Sequence, residues 1–95
     1  MAEEKILTRH PQRKTGRSIS RQKYDAVKRA MLSALRGREL THTELNRALV
    51  ERLAGRFEGN VSWYGETVKL DLEARKVIER TASRPQRYRL KSGRS

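Results

Sequence analysis

Four cations gather near the C-terminal end of the chain: Arg84, Arg87, Arg89 and Lys91. The last three alternate with Tyr88 and Leu90, and an extended strand sends alternate side chains to opposite faces. Three positive groups therefore share one face, about 7 Å apart. Such a row suits phosphate, which the planar fork of a guanidinium grips with two hydrogen bonds. A second basic group, Arg9, Arg13, Lys14 and Arg17, lies near the N-terminus. Basic arms of that kind enter a minor groove. Both groups also have a plainer use: edge cations discourage sheet-to-sheet pairing, and a charged tail is well solvated.

Catalytic chemistry is not indicated. The two histidines, His10 and His42, have no metal-ligand spacing to each other or to a carboxylate. Cysteine is absent, which excludes a disulfide scaffold, a thiolate zinc site and a thiol nucleophile. No glycine-rich loop leads into Lys-Ser or Lys-Thr. A core this small leaves little room for a substrate pocket. The expectation is a protein that is not an enzyme and has no cofactor, metal or small-molecule substrate.

The charge balance gives these cations their context. The chain has 95 residues, the scale of one domain. Lys and Arg number 23 against 11 Asp and Glu, a net charge of +12. Nucleic acid is the commonest partner of so basic a domain. No apolar run reaches the roughly 20 residues of a membrane helix, and the start, Met1-Ala2-Glu3-Glu4-Lys5, lacks a secretory stretch. A soluble, cytoplasmic protein with no membrane partner is expected, the nucleoid being one place for it.

The elements that must position the cations follow from periodicity. Residues 1–19 have no regular apolar pattern and read as a mostly unstructured basic arm. Tyr24, Val27, Met31 and Leu35 recur at helical spacing, predicting a first helix over Ser20–Arg36 with Ser18 or Ser20 as cap and Gly37 as its end. Leu40 falls in a short extended stretch. Thr41-His42-Thr43-Glu44 matches a capping box, and Leu45, Leu49 and Leu53 follow on one face of a second helix that ends near Gly55. A third helix is predicted over Ser62–Arg75, capped by Asn60 or Ser62, with Val61, Tyr64, Val68 and Leu72 toward the core. Two strands come next, 76–81 and 87–91, joined by a turn holding Pro85. Residues 92–95 read as a short tail. Surface ion pairs are expected from Asp25 to Lys28 or Arg29, and from Glu44 to Arg47.

The fold class is mainly α with a C-terminal β-hairpin. At this point the chain resembles a winged helix-turn-helix domain over residues 20–91. The residues that carry this are Leu40-Thr41, the run Leu72-Glu73-Ala74-Arg75-Lys76-Val77-Ile78-Glu79-Arg80, and Arg84-Pro85-Gln86-Arg87-Tyr88-Arg89-Leu90. The segment Trp63–Ala74 is also similar to a small bacterial family of winged-helix-like proteins of unknown function. The resemblance implies that the third helix is a recognition helix and the hairpin its wing. It also places Lys76 where many such proteins carry Gly. Gly accepts left-handed backbone there easily, and Lys does not.

Charge is unevenly divided. Residues 76–95 are net +6 and the arm net +3, whereas residues 59–75, the third helix, are net −1. Major-groove readers normally carry Arg, Lys, Asn or Gln on that helix. Here Trp63, Thr67 and Lys69 are the candidates. The function expected is therefore binding of nucleic acid, duplex DNA in particular, by a small regulator or chromosome-associated protein. Phosphates are gripped by Arg84, Arg87, Arg89, Lys91 and the arm, with modest sequence specificity. RNA ranks lower, because the five aromatic residues fall mostly on core faces. The alternative is a protein-interaction adaptor. Trp63, Leu70 and Val77 lie seven residues apart and make a second apolar stripe that needs covering. Ile6 and Leu7, the wing, or a second copy of the chain in a homodimer are its candidate covers.

Overall fold

The structure, a computed structural model, describes residues 4–12, 14 and 16–91. Its elements are β1 (Lys5–Leu7), β2 (Ser18–Ser20), α1 (Arg21–Ala34), β3 (Leu40–Thr41), α2 (His42–Leu53), α3 (Val61–Ala74), β4 (Ile78–Arg80) and β5 (Arg87–Leu90). The helices start where side-chain oxygens meet orphan N–H groups. Ser20 Oγ accepts from the Lys23 N–H at 3.2 Å, and Asn60 Oδ1 accepts from the Trp63 N–H at 3.0 Å. At α2 the capping box is complete: Thr41 Oγ1 accepts from Glu44 N–H at 3.2 Å, and Glu44 Oε1 accepts from Thr41 N–H at 2.9 Å. Those bonds hold the Glu44 carboxyl below its usual range. Glu44 thus caps its own helix, and Asp25 meets Arg21 at 3.9 Å; neither makes the ion pair its spacing suggested.

The three helices close around one core. Val27 and Met31 of α1, Leu45 and Leu49 of α2, and Val68 and Leu72 of α3 are all buried. Each such side chain contributes about 1.5–3 kcal/mol by leaving water. Gly65 lets α2 and α3 approach: a Cβ there would lie 2.9 Å from Leu49 Cδ1. Ile78 and Tyr88 bring the second sheet against the same core. That sheet runs β3-β5-β4, all antiparallel, with Leu40 opposite Tyr88 and Ile78 opposite Leu90.

Two departures from the sequence reading matter. The strands of the C-terminal hairpin are shorter than 76–81 and 87–91, because Lys76 and Val77 are still leaving the helix: their N–H groups donate to Glu73 and Leu72 carbonyls. Lys76 does take left-handed backbone, with φ +67°.

The larger departure is at the N-terminus. The segment expected to be unstructured carries β1 and β2, which pair antiparallel with Ile6 opposite Ile19. Ile19 is buried and Ile6 packs on the core. Beyond the strands, Thr8 N–H donates to the Arg17 carbonyl and Arg17 N–H to Thr8 Oγ1, both at 2.8 Å. Gly16 makes this closure feasible, since a Cβ there would stand 1.8 Å from the Thr8 carbonyl oxygen. Among the described residues, no helix is long and apolar enough to cross a membrane.

Candidate nucleic-acid interface

The last turn of α3 organises the surface. Residues two apart on a helix do not share a face, and Asp71 and Glu73 use this to hold the two hairpins on different sides. Asp71 is fully buried. Its Oδ1 accepts from the Arg9 N–H at 2.7 Å, and its Oδ2 from Arg75 Nε at 2.8 Å and from the Tyr24 hydroxyl. Burial, with the carboxylate beside it, pushes the Tyr24 phenol well above its ordinary range. The bond to Asp71 raises the Arg75 guanidinium. Glu73 faces the other hairpin, where Arg80 grips it with Nε at 2.5 Å and Nη2 at 3.2 Å.

Of the four cations expected on the second hairpin, two are neutralised. Glu79 stands opposite Arg89 across the ladder. Arg89 donates to Glu79 Oε2 at 2.8 Å and to Glu39 Oε2 at 3.1 Å. These bonds raise the guanidinium's pKa, Glu79 contributing most. Lys91 Nζ lies 3.8 Å from Glu79 Oε1. Arg84, exposed at the tip, and Arg87, half-buried, have no carboxylate within 4 Å among the described residues. The tip is held by hydroxyls: Thr81 Oγ1 meets Ser83 Oγ at 2.6 Å, and Ser83 Oγ donates to the Pro85 carbonyl at 3.0 Å.

Lys69 is not at the surface. It is 4% exposed, and its ammonium sits 3.0 Å from Glu66 Oε1, 2.8 Å from His42 Nδ1 and 4.4 Å from the Tyr88 ring centroid. The sequence reading of Lys69 as a groove contact is corrected: its charge ties α3 to α2 and the sheet. Trp63 is 42% exposed, edge-on to Tyr64 at 4.9 Å. Thr67 and Leu70 are half-buried on the same side of α3. Val77 is not in line with them. The helix ends at Ala74, and Val77 shares a shallow recess with Leu32 and Leu90. The seven-residue stripe therefore stops at Leu70. Leu7 is itself 65% exposed.

Arg9, Lys14 and Arg17 are exposed on the first hairpin and have no carboxylate partner among the described residues. Arg13 and residues 92–95 lie outside the described residues. The residues that sequence reasoning missed are Asp71 and Gly16. Asp71 had a signal: an acid three residues after Val68 and beside Leu72 falls near the core face, and a buried carboxylate needs donors. No cluster of His, Asp or Glu among the described residues could hold a metal ion.

Three helices, a two-stranded and a three-stranded antiparallel sheet, and unpaired cations on both hairpins define a small basic α/β domain. The chain belongs to the family of unknown function DUF6958, which matches it over residues 5–88. No curated protein and no solved structure matches it.

Proposed function

We propose that the protein is a winged helix that binds duplex DNA through its phosphates. The element order supports the fold reading. A helix is followed by a short strand, two more helices and a hairpin, and the short strand β3 pairs with the return strand β5. The observation that carries the function is where charge is left over. The acids of α3 and the sheet are matched internally: Asp71 to Arg75, Glu73 to Arg80, Glu66 to Lys69, and Glu79 and Glu39 to Arg89. Among the described residues, unmatched cations occur on every part of the chain outside α3, including Arg29, Arg36, Arg47 and Arg56; those on the two hairpins that pack on the last turn of α3 include Arg84 and Arg87 on one and Arg9, Lys14 and Arg17 on the other.

In this reading the two hairpins straddle the backbone. Trp63 and Thr67, on the outward side of α3, approach the major groove, with Glu66 beside them. That face has few donors for base edges, so sequence discrimination is modest. Neutralising about five phosphates gives a log–log salt slope of about −4 to −5.

The test is a salt titration with labelled random duplex and single-stranded RNA as competitor. Changing Arg84 and Arg87 together to Ala is expected to flatten the slope by about 1–2. Arg89→Ala is expected to leave it unchanged, because that charge is already matched. Absence of duplex binding at low salt overturns the proposal. It would favour a protein-interaction adaptor instead, the reading that exposed Trp63 and half-buried Leu70 support.

A further inference from the structure

A cleft of about 610 Å³ opens between the β1–β2 hairpin and the C-terminal end of α3. That volume is in the range of small-molecule sites, roughly 300–1,000 Å³. Three cations line it: Arg9, Lys14 and Lys76. The one acid in its lining is Glu73, both of whose oxygens are bound by Arg80. Leu7, Pro11 and Ala74 supply an apolar wall.

Two contacts shape the walls. Arg9 is anchored through its N–H to buried Asp71, and the Thr8–Gly16 contact sets the path of the chain opposite. Lys76 adds an independent observation. It is exposed, makes no ion pair among the described residues, and holds left-handed backbone, a conformation that costs any residue but Gly. Nothing in its packing calls for a lysine. What Lys76 does supply is a third positive charge at the rim of the cleft.

We propose that this cleft binds a phosphorylated ligand of nucleotide size. The phosphate lies among Arg9, Lys14 and Lys76, and the ring lies against Leu7 and Pro11. Cations alone would suit any anion; the apolar wall beside them selects a phosphate joined to a flat, weakly hydrated ring. A free mononucleotide and the 5′-phosphorylated end of a DNA strand offer the same chemistry. The cleft shares Arg9 and Lys14 with the proposed duplex interface, and Lys76 belongs to the cleft alone.

The test uses the full chain, titrated by NMR with adenosine 5′-monophosphate, adenosine and inorganic phosphate. The monophosphate is expected to bind at least about tenfold more tightly than either fragment. The amide shifts should centre on Leu7–Arg9, Gly16 and Ala74–Lys76. Lys76→Gly separates binding from folding. It relieves the left-handed strain, so the thermal midpoint rises while monophosphate affinity falls about fivefold or more. Equal affinity for monophosphate and inorganic phosphate, shifts centred elsewhere, or unchanged affinity in Lys76→Gly overturns the proposal. Competition with 5′-phosphorylated and 5′-hydroxyl oligonucleotides distinguishes the sources. Stronger competition by the phosphorylated strand assigns a strand end, and equal competition assigns the free nucleotide. Monophosphate binding that persists without duplex binding overturns the duplex reading alone. Duplex binding without it overturns only the cleft.

Discussion

The two hairpins are built on opposite plans. The C-terminal one is part of a three-stranded sheet, sends Ile78 and Tyr88 into the core, and matches most of its cations with Glu73, Glu79 and Glu39. The N-terminal one is a bare pair of three-residue strands, held by one buried carboxylate, one glycine and the apolar contacts of Ile6 and Ile19. Among the described residues, its cations are left unmatched. Charge counted along the sequence made the C-terminal hairpin the main cationic surface. Counted after pairing, the described residues of the N-terminal hairpin keep Arg9, Lys14 and Arg17 free, against Arg84 and Arg87 on the C-terminal one.

The comparison breaks most sharply at Asp71. Asp71→Ala leaves the Arg75 guanidinium, the Tyr24 hydroxyl and the Arg9 N–H without their acceptor. Removing one member of a buried charged pair costs about 3–5 kcal/mol, and urea denaturation should show a loss of that order. Gly16→Val acts on the N-terminal hairpin alone. The Cβ clash with the Thr8 carbonyl opens the closure at a cost of about 1–3 kcal/mol. Hydrogen exchange should show lost protection at Thr8 and Arg17 while α2 keeps its own.

Tyr24→Phe removes one donor from Asp71 and costs about 1–2 kcal/mol at neutral pH. Its pH signature is distinctive. The folded state raises the Tyr24 pKa above its ordinary value of 10.0. The stabilisation is therefore complete below pH 10.0 and is lost as pH rises above it, when a phenolate would face the Asp71 carboxylate. Stability-versus-pH curves should lose this alkaline component in the Phe variant. The smallest effect belongs to Arg89→Ala on the C-terminal hairpin. An exposed ion pair contributes little, and the small drop in midpoint should disappear in high salt.

Most of the helical frame was legible because it is local. Ser20, Thr41 with Glu44, and Asn60 announce helix starts through bonds that span three residues. Tyr24, Val27, Met31 and Leu45, Leu49, Leu53 announce faces through their period. Strand alternation showed the β5 residues, whereas the left-handed backbone of Lys76 went against the expectation that a lysine would shift the helix end to avoid it. What escaped is long-range. The β1–β2 hairpin has three-residue strands, too short for any period, and depends on Asp71, 62 residues from Arg9. Lys69 looked like a surface cation because its enclosure comes from His42 and Tyr88, which lie on other elements. The same holds for Arg89, whose partner Glu39 is 50 residues away. A residue's type predicts its charge, and only its neighbours across the fold decide whether that charge is free.

The strand order β3-β5-β4 has a consequence for synthesis. The central strand of the sheet is the last one made, and β3 has no other partner. Until residues 87–90 are free to pair, Leu40–Thr41 and Ile78–Arg80 have nothing to bridge them, and the place of Tyr88 in the core is vacant. The helices can gather early, from contacts close in sequence, but the sheet must wait for β5. A released chain truncated before Arg87 should therefore be protease-sensitive around Leu40–Thr41 and Ile78–Arg80, and a chain that includes residues 87–90 should be protected there.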